Sequence, residues 1–139
     1  MQWLWTNRFN DFTLFWQLPT RGFCVTTINF YDATGGIRGL GKVSKLYLEN
    51  TNLAYALGKE IPDTGNIRET FFFNQLAMLH DVVASPQSDF QVDGYTFEIG
   101  GRNKGNAQIQ GLDKAYIVKD DIEYGFGNTI PLWHFGFLY

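Results

Sequence analysis

The chain has 139 residues, a formal net charge of −3 and an apolar fraction of 45%, and aromatic residues alone make up 17%. These values predict one compact domain with a substantial core and exclude a disordered chain. The acidic balance argues against a surface built wholly for nucleic acid, although it leaves room for a local basic groove.

The cysteine count and the apolar segments indicate the cellular setting. Cys24 is the only cysteine, so no internal disulfide can form, which is typical of a reducing compartment. Polar residues from Thr6 onward interrupt any signal peptide, and the longest apolar stretch, residues 130–139, is shorter than a membrane span of about 20 residues. We therefore expect a cytoplasmic protein with no membrane contact.

The first predicted elements are a strand at residues 23–31, a glycine-rich loop at residues 32–45 and a short strand at residues 45–48. Within the loop, GIRGLGK at residues 36–42 has the spacing of a P-loop as far as its lysine. The match ends at Val43, because a Ser or Thr hydroxyl should hold magnesium there, and a strand follows instead of a helix. We expect an ordinary loop that binds no ATP.

Two helices are predicted next, a brief one from Asn50 to Leu57 and a longer one from Asn66 to about His80. Asn66 and Glu69 have the spacing of a capping box, in which a carboxylate follows the N-cap residue three positions later. Glu69 also lies three positions before an apolar residue of the helix, so its carboxylate should border the buried stripe.

The most informative segment is DFQVDGYTFEI at residues 89–99, which predicts a β-hairpin. Asp93 and Gly94, between alternating apolar residues, favour a two-residue type I′ turn. Because side chains alternate across a strand, this register places Phe90 and Phe97 opposite each other on the face that joins the core.

The other face of the hairpin brings Asp89 opposite Glu98. Like charges directly opposed, with Cβ atoms roughly 5 Å apart, destabilise a sheet unless something neutralises them. A divalent cation with oxygen ligands is one solution. The alternative is that Asp89 is a polar residue at the start of a strand and that Glu98 is a solvated partner of Arg102 or Lys104.

After the hairpin, residues 104–112 are predicted to form a short helix or turn. The continuous apolar run at residues 115–118 is typical of a strand covered on both faces. A right-handed crossover could place that strand parallel to the second strand of the hairpin. The order of elements indicates an α/β fold.

With one carboxylate on a helix and two on a hairpin, the chain resembles the PD-(D/E)XK nuclease superfamily, the restriction-endonuclease-like fold. A closer resemblance is to the C-terminal nuclease-like domain of bacterial AAA-type P-loop ATPases, especially those of Bacteroides-like bacteria. It covers residues 32–139 and is carried by the phrases GGIRGLGKVSKLYLENTNLAYAL, NIRETFFFNQL, DFQVDGYTFEIGGRNKGNAQI and DDIEYGFGNTIPLWHFGFLY. It implies an αβββαβ core with a central mixed sheet. Residues 1–31 do not fit it, so we expect a divergent N-terminal segment ahead of a nuclease-like domain that lacks the ATPase and winged-helix modules.

The resemblance also implies an acidic metal site. Asp89 would be the motif aspartate, and Glu98 would be the acidic residue of the E-x-K element. Glu69 would be the helix carboxylate that often joins the site. These three carboxylates would bind Mg²⁺ or Mn²⁺, whose preferred ligands are oxygens.

The chain departs from the pattern at the lysine. In the family this residue lies two positions after the acid, and here that position is Gly100. Lys104 or Arg102 could swing back from the following loop, and Gln108 could orient water or phosphate. Because a nuclease needs a cation to stabilise the charge that develops on the phosphoryl group, activity depends on such a substitute. The implied catalytic residues are Asp89, Glu98, Lys104 and Gln108.

Three functions are compatible with these features. The first is a nuclease-fold domain, degenerate as a catalyst, that binds nucleic acid or serves as an accessory domain to an ATPase module or another protein. The second is an active Mg²⁺-dependent endonuclease that hydrolyses DNA phosphodiesters, with Lys104 in place of the missing lysine. The third is a purely structural interaction domain whose carboxylates make ordinary hydrogen bonds.

Overall fold

The computed structural model describes the backbone of residues 15–18 and 21–28 and all of residues 45–138. One antiparallel sheet contains, in spatial order, β1 (Phe15–Leu18), β2 (Arg21–Ile28) and β3 (Lys45–Leu48). A second sheet contains, in spatial order, β4 (Val82–Ala84), β5 (Phe90–Val92), β6 (Tyr95–Gly100), β7 (Ala115–Lys119) and β8 (Thr129–Pro131). The helices are α1 (Thr51–Leu57) and α2 (Thr64–Ala77), with 3-10 helices at Ala107–Ile109 and Leu132–Phe137.

The second sheet is mixed in direction. Strands β4, β5 and β6 form an antiparallel meander, whereas β7 runs parallel to β6 and β8 runs parallel to β7. In the parallel pair, Phe97 aligns with Tyr116 and Ile99 aligns with Val118. The structure therefore confirms a mixed α/β fold and the prediction that the strand after the hairpin lies parallel to the Glu98 strand.

The hairpin forms in the predicted register. Phe90 pairs with Phe97, and Val92 pairs with Tyr95. The turn residue Asp93 has a φ of 51° and Gly94 has a φ of 80°. Positive φ at both central positions is the requirement of a type I′ turn, whose twist matches that of the flanking strands. The paired part of β5 begins at Phe90, so Asp89 lies immediately before the ladder.

The main core lies between α2 and one face of the second sheet. At its centre, the rings of Phe72 and Phe90 lie with centroids 5.3 Å apart, and Phe72 meets Phe135 edge to face at 4.7 Å. Tyr47 joins this core from β3. The buried members are Tyr47, Phe72, Phe73, Leu76, Val82, Ala84, Phe90, Val92, Ile99, Val118, Leu132 and Phe135.

The opposite face of the sheet is covered as well. Ile109 and Leu112 pack there against Ala115 and Ile117, which confirms a strand at residues 115–118 buried on both sides. The second face of the hairpin is therefore not open to solvent, and Glu98 is buried within it. On the core face, Phe90 and Val92 of β5 are buried, whereas on β6 Phe97 is half-buried and Tyr95 is exposed.

Both predicted helices are present, with corrected starts. The helix α1 ends at Leu57 as predicted but starts at Thr51, because Asn50 is its N-cap, whose side chain accepts a hydrogen bond from Asn52 N at 2.8 Å. The prediction that α2 starts at Asn66 is wrong. Asp63 is the N-cap and its carboxylate accepts a hydrogen bond from the Asn66 amide at 3.0 Å, so Asn66 lies inside the first turn. Either residue type can cap a helix, and only the local backbone decides between them.

The strand predicted at residues 23–31 is present as β2, shifted toward the N-terminus. It pairs with β3 in antiparallel register, with Ile28 opposite Lys45. A strand of the predicted N-terminal segment, residues 1–31, is therefore hydrogen-bonded to a strand of the predicted nuclease-like domain. The glycine-rich sequence at residues 36–42 lies outside the described residues. Among those that are described, no helix has both the length and the apolar character to span a bilayer.

We expect Phe90→Ala to lower the free energy of unfolding by about 3 to 5 kcal/mol, because it would leave a cavity at the centre of the main core. Chemical denaturation with a two-state fit measures this loss. The control is Phe126→Ala, since the Phe126 side chain is 92% exposed and its loss should change stability by no more than about 0.5 kcal/mol. Equal losses in the two variants would contradict the described core.

Candidate functional site

Two of the predicted carboxylates meet at one lysine. The Lys45 ammonium donates to Glu69 Oε2 at 2.8 Å and to Asp89 Oδ1 at 3.0 Å. Lys45 is the first residue of β3, Glu69 belongs to α2, and Asp89 precedes β5, so three separate elements supply the cluster. Two negative charges are thereby brought together around a single positive charge.

Each carboxylate of this cluster is held in place by a second contact. The hydroxyl of Tyr47 donates to Glu69 Oε2 at 2.7 Å, and its ring stacks on Phe73 with centroids 5.0 Å apart. The backbone amide of Ile99 donates to Asp89 Oδ2 at 2.8 Å. Glu69 is therefore positioned by a core tyrosine and Asp89 by the backbone of β6, and neither depends on Lys45 alone.

The cluster changes the pKa of both its proton donors. Partial burial lowers the pKa of Lys45, but the hydrogen bonds and charges of Glu69 and Asp89 outweigh it, so that the pKa is raised overall. Burial raises the pKa of the Tyr47 hydroxyl, and the hydrogen bond to Glu69 raises it further. Both groups therefore keep their protons to a higher pH in the folded chain than in the unfolded chain.

The third predicted carboxylate, Glu98, lies in a separate cluster. Its side chain is only 1% exposed. The Ser88 hydroxyl donates to Glu98 Oε2 at 2.7 Å, and the Lys104 ammonium forms an ion pair with Glu98 Oε1. Within the described part of the chain, Oε1 accepts no hydrogen bond, so the ion pair supplies its only direct compensation. A buried carboxylate without a nearby cation would be strongly destabilising.

Lys104 reaches Glu98 by crossing Gly100. A Cβ atom built on Gly100 would lie 2.6 Å from both Cβ and Cγ of Lys104 and 2.7 Å from its Cδ. These distances are shorter than any real contact, so the alkyl chain of Lys104 occupies the space that a side chain at position 100 would need. The backbone of Lys104 is fixed there by a turn, because its amide donates to the Gly101 carbonyl at 2.9 Å.

The structure thus arranges the predicted site residues in two clusters. Glu69 and Asp89 share Lys45, whereas Glu98 pairs with Lys104. The two clusters adjoin, because Asp89 accepts a hydrogen bond from Ile99, the residue after Glu98, and Glu98 accepts one from Ser88, the residue before Asp89. Gln108 lies in the 3-10 helix with an exposed side chain, and within residues 45–138 it forms no hydrogen bond to either cluster.

The sequence analysis missed three residues that hold the clusters. Lys45 and Tyr47 stand two positions apart on β3, and their alternation in a strand places both side chains on one face. That spacing could have shown that the two side chains act together. No local pattern, however, identifies the carboxylates 24 and 44 positions away as the partners of Lys45. Ser88 stands directly before Asp89, and its bond to Glu98 follows from the hairpin register.

The first cluster contains two oxygen donors of the kind that bind a hard cation. Among residues 45–138, no group of three His, Cys, Asp or Glu side chains is close enough to hold a metal ion. Two carboxylate oxygens do, however, point at one position, because both lie within 3.0 Å of the Lys45 nitrogen. Oxygen atoms of this type are the usual ligands of Mg²⁺. Glu98 Oε1 is a further buried oxygen, and the Lys104 ammonium lies against it.

We expect stability to fall as the pH rises above about 10, where the unfolded chain loses the protons of lysine and tyrosine but the folded chain keeps those of Lys45 and Tyr47. Their contribution is complete below the unfolded pKa values and is lost as the pH rises through the folded values. Urea midpoints measured over this range test the slope, which Tyr47→Phe should reduce. The same change at the exposed Tyr124 should leave the slope unaltered.

We expect Gly100→Ala to lower the free energy of unfolding by about 1 to 3 kcal/mol, because the added methyl group displaces Lys104 and leaves the Glu98 charge uncompensated. Gly105→Ala is the matched control, since a Cβ there would have no neighbour within 4 Å. Its effect should stay within about 0.5 kcal/mol. Equal effects of the two substitutions in denaturation experiments would show that Lys104 does not depend on the glycine.

No protein-family model matches the chain, and no curated protein or solved structure shows significant similarity to it. What the chain does is therefore inferred from the contacts of its own charged residues.

Proposed function

We propose that the chain is a nuclease-fold domain of the restriction-endonuclease-like type that hydrolyses nucleic-acid phosphodiesters with a divalent cation. The order of elements supports this proposal. A helix, α2, is followed by the antiparallel strands β4, β5 and β6 and then by the parallel strand β7. In this proposal α2 and these strands would be part of an αβββαβ core, with the short 3-10 helix at Ala107–Ile109 in place of its second helix.

The observation that carries the proposal is the path of Lys104 across Gly100. In the nuclease pattern a lysine two positions after the acid lies beside it on the strand. Here that position has no side chain, and the lysine from the next loop fills the vacated space and places its ammonium at Glu98. A cation is thus present beside the buried acid although the local E-x-K spacing is lost.

The residues have separate roles in this proposal. Glu69 and Asp89, whose oxygens face one position, would hold Mg²⁺ or Mn²⁺, which when bound acts as a Lewis acid toward the phosphoryl group. Lys104 stabilises negative charge on the non-bridging oxygens of the phosphoryl group, and its fixed position reduces the cost of reorganising around that charge. Ser88 orients the carboxylate of Glu98 through the bond from its hydroxyl.

A second function is favoured by Lys45. Its single ammonium compensates Glu69 and Asp89 without any metal, as expected of a nuclease fold that has lost catalysis and kept a binding role. In that case the domain would bind nucleic acid or an ATPase module without cleaving a substrate. The net charge of −3 makes tight binding to nucleic acid depend on a local basic surface and on low salt.

The proposal predicts cleavage of plasmid and of short single-stranded and duplex DNA by the purified chain with Mn²⁺ or Mg²⁺, and no cleavage with excess chelator. Glu98→Gln and Lys104→Met should each reduce the rate by about 100-fold or more, because each removes a charged group from the reacting site. Product formation on denaturing gels measures the rates.

Lys114→Met is the matched control for Lys104→Met, since Lys114 contacts the Tyr95 ring outside both clusters. It should cleave at the rate of the unaltered chain. If the unaltered chain binds nucleic acid in a salt titration but cleaves none of these substrates, the non-catalytic function is the correct one. If it does neither, both functions are wrong and the carboxylates serve the fold alone.

A further inference from the structure

Lys119, the last residue of β7, lies next to the ion pair of Glu98 and Lys104. The parallel register aligns Ile117 with Glu98 and Lys119 with Gly100. Aligned residues of neighbouring strands project from the same face of a sheet, and the strands lie about 5 Å apart. Lys119 therefore projects from the face that holds Glu98, beside the position that the Lys104 side chain crosses.

Arg102 adds another cation at this end of the sheet. It belongs to the turn after β6, in which the Lys104 amide donates to the Gly101 carbonyl at 2.9 Å. The Lys119 ammonium approaches the Arg102 carbonyl at 3.4 Å, so the turn is in contact with the end of β7. The Arg102 side chain is exposed. The cationic cluster formed by Arg102, Lys104 and Lys119 thus surrounds one short turn.

Positive charge exceeds negative charge in the cationic cluster. Lys104 is compensated by Glu98. Within residues 45–138, neither Arg102 nor Lys119 forms an ion pair with a carboxylate. The 3.4 Å contact of Lys119 is longer than a usual hydrogen bond, and an ammonium has three donors to place. Two cations of the cluster are therefore able to bind an anion from solution.

The carboxylates that follow Lys119 are bound to a different cation. Asp120 Oδ2 accepts a hydrogen bond from Arg68 Nε at 2.9 Å, and Asp121 Oδ2 lies 3.8 Å from Nη2 of the same guanidinium. Arg68 belongs to α2, which packs on the opposite face of the sheet. Arg68 thus takes up charge that would otherwise balance the cationic cluster.

A phosphate group is the anion that fits these donors. Lysine binds phosphate oxygens as a point charge, and the guanidinium of arginine can donate two parallel hydrogen bonds to them. A nucleic-acid backbone carries phosphates in series, so one phosphate can lie at Lys104 while a neighbouring one lies at Arg102 and Lys119. A substrate of this kind would use the whole cluster.

We propose that Arg102 and Lys119 bind a backbone phosphate of nucleic acid beside the Glu98 and Lys104 pair. The identity of the ligand rests on the proposed function. The two residues supply the local basic surface that binding requires in a chain with a net charge of −3. They hold a phosphate that is not cleaved, and so they act on affinity for the substrate.

The first test is fluorescence anisotropy with a short labelled single-stranded DNA, in excess chelator and over a salt series. Lys119→Met and Arg102→Met should each weaken binding by about fivefold at low salt, since each removes one phosphate contact. Each should also reduce the slope of log affinity against log salt by about 0.7, because one counterion fewer is released.

Two further variants locate the effect. Lys114→Met changes the net charge equally but lies outside the cationic cluster, against the Tyr95 ring, and should keep the slope of the unaltered chain. Lys119→Arg preserves the charge and should keep the slope as well. Equal losses in Lys119→Met and Lys114→Met would overturn the proposal, and so would the absence of measurable DNA binding by the unaltered chain.

A second measurement uses the unaltered chain, so it does not depend on the folding of any variant. Brief acetylation followed by mass spectrometry reports how accessible each lysine is. Added DNA should protect Lys119 from labelling and leave Lys114 unchanged, and inorganic phosphate or pyrophosphate should protect Lys119 much less. Labelling of Lys119 that ignores DNA would contradict the proposal. Protection by pyrophosphate alone would replace the backbone with a small phosphate ligand and overturn it equally.

The outcomes separate this inference from the proposed function, because the binding measurements need neither metal nor cleavage. Protection of Lys119 and a reduced salt slope in Lys119→Met, without cleavage in Mn²⁺, support the phosphate site and refute the nuclease. If the chain does cleave DNA, Lys119→Met should raise KM by about fivefold and change kcat by less than about twofold. Cleavage with an unaltered KM in Lys119→Met and Arg102→Met supports the nuclease and refutes the phosphate site.

Discussion

The compensation of buried negative charge is the constraint on which the site depends. Glu98 is almost fully buried on the second face of the sheet, where a carboxylate without a compensating partner would be strongly destabilising. Lys104 supplies compensation from the loop after β6, and Ser88 supplies it from the loop between β4 and β5. The glycine at position 100 belongs to the same solution, because it gives the lysine its path. The absence of a side chain at Gly100 therefore allows the charge of Lys104 to compensate that of Glu98.

The hairpin was predictable from sequence because its determinants are local. Asp93 and Gly94 choose the turn, and the turn fixes the register of every residue in both strands. The parallel strand after it was predictable from its continuous apolar run. The start of α2 was misplaced because Asp63 and Asn66 are both able to cap a helix. The error in the start of α2 is therefore a wrong choice between two residues that are equally able to cap a helix.

The charge clusters could be predicted only in part, because their contacts join distant parts of the chain. A lysine arriving from the loop after β6 was foreseeable, since Lys104 is close in sequence to Glu98. Lys45 was not foreseeable, since it reaches Asp89 across 44 positions through the pairing of separate elements. The burial of Glu98 was also missed, because the second cover of the sheet comes from residues near Ile109, which show no strong periodicity.

Aromatic contacts connect the carboxylate of Glu69 to the final 3-10 helix. Tyr47 holds Glu69 by its hydroxyl and stacks on Phe73, while Phe90 contacts both of these rings and Phe72. Phe72 in turn meets Phe135 in the final 3-10 helix. Close-packed rings shift as a group, since each fills the space left by its neighbours. The angle at which Glu69 presents its oxygens is therefore set partly by how the C-terminal turn seats against the core, and a small shear of that turn would be transmitted along the rings to the anionic cluster.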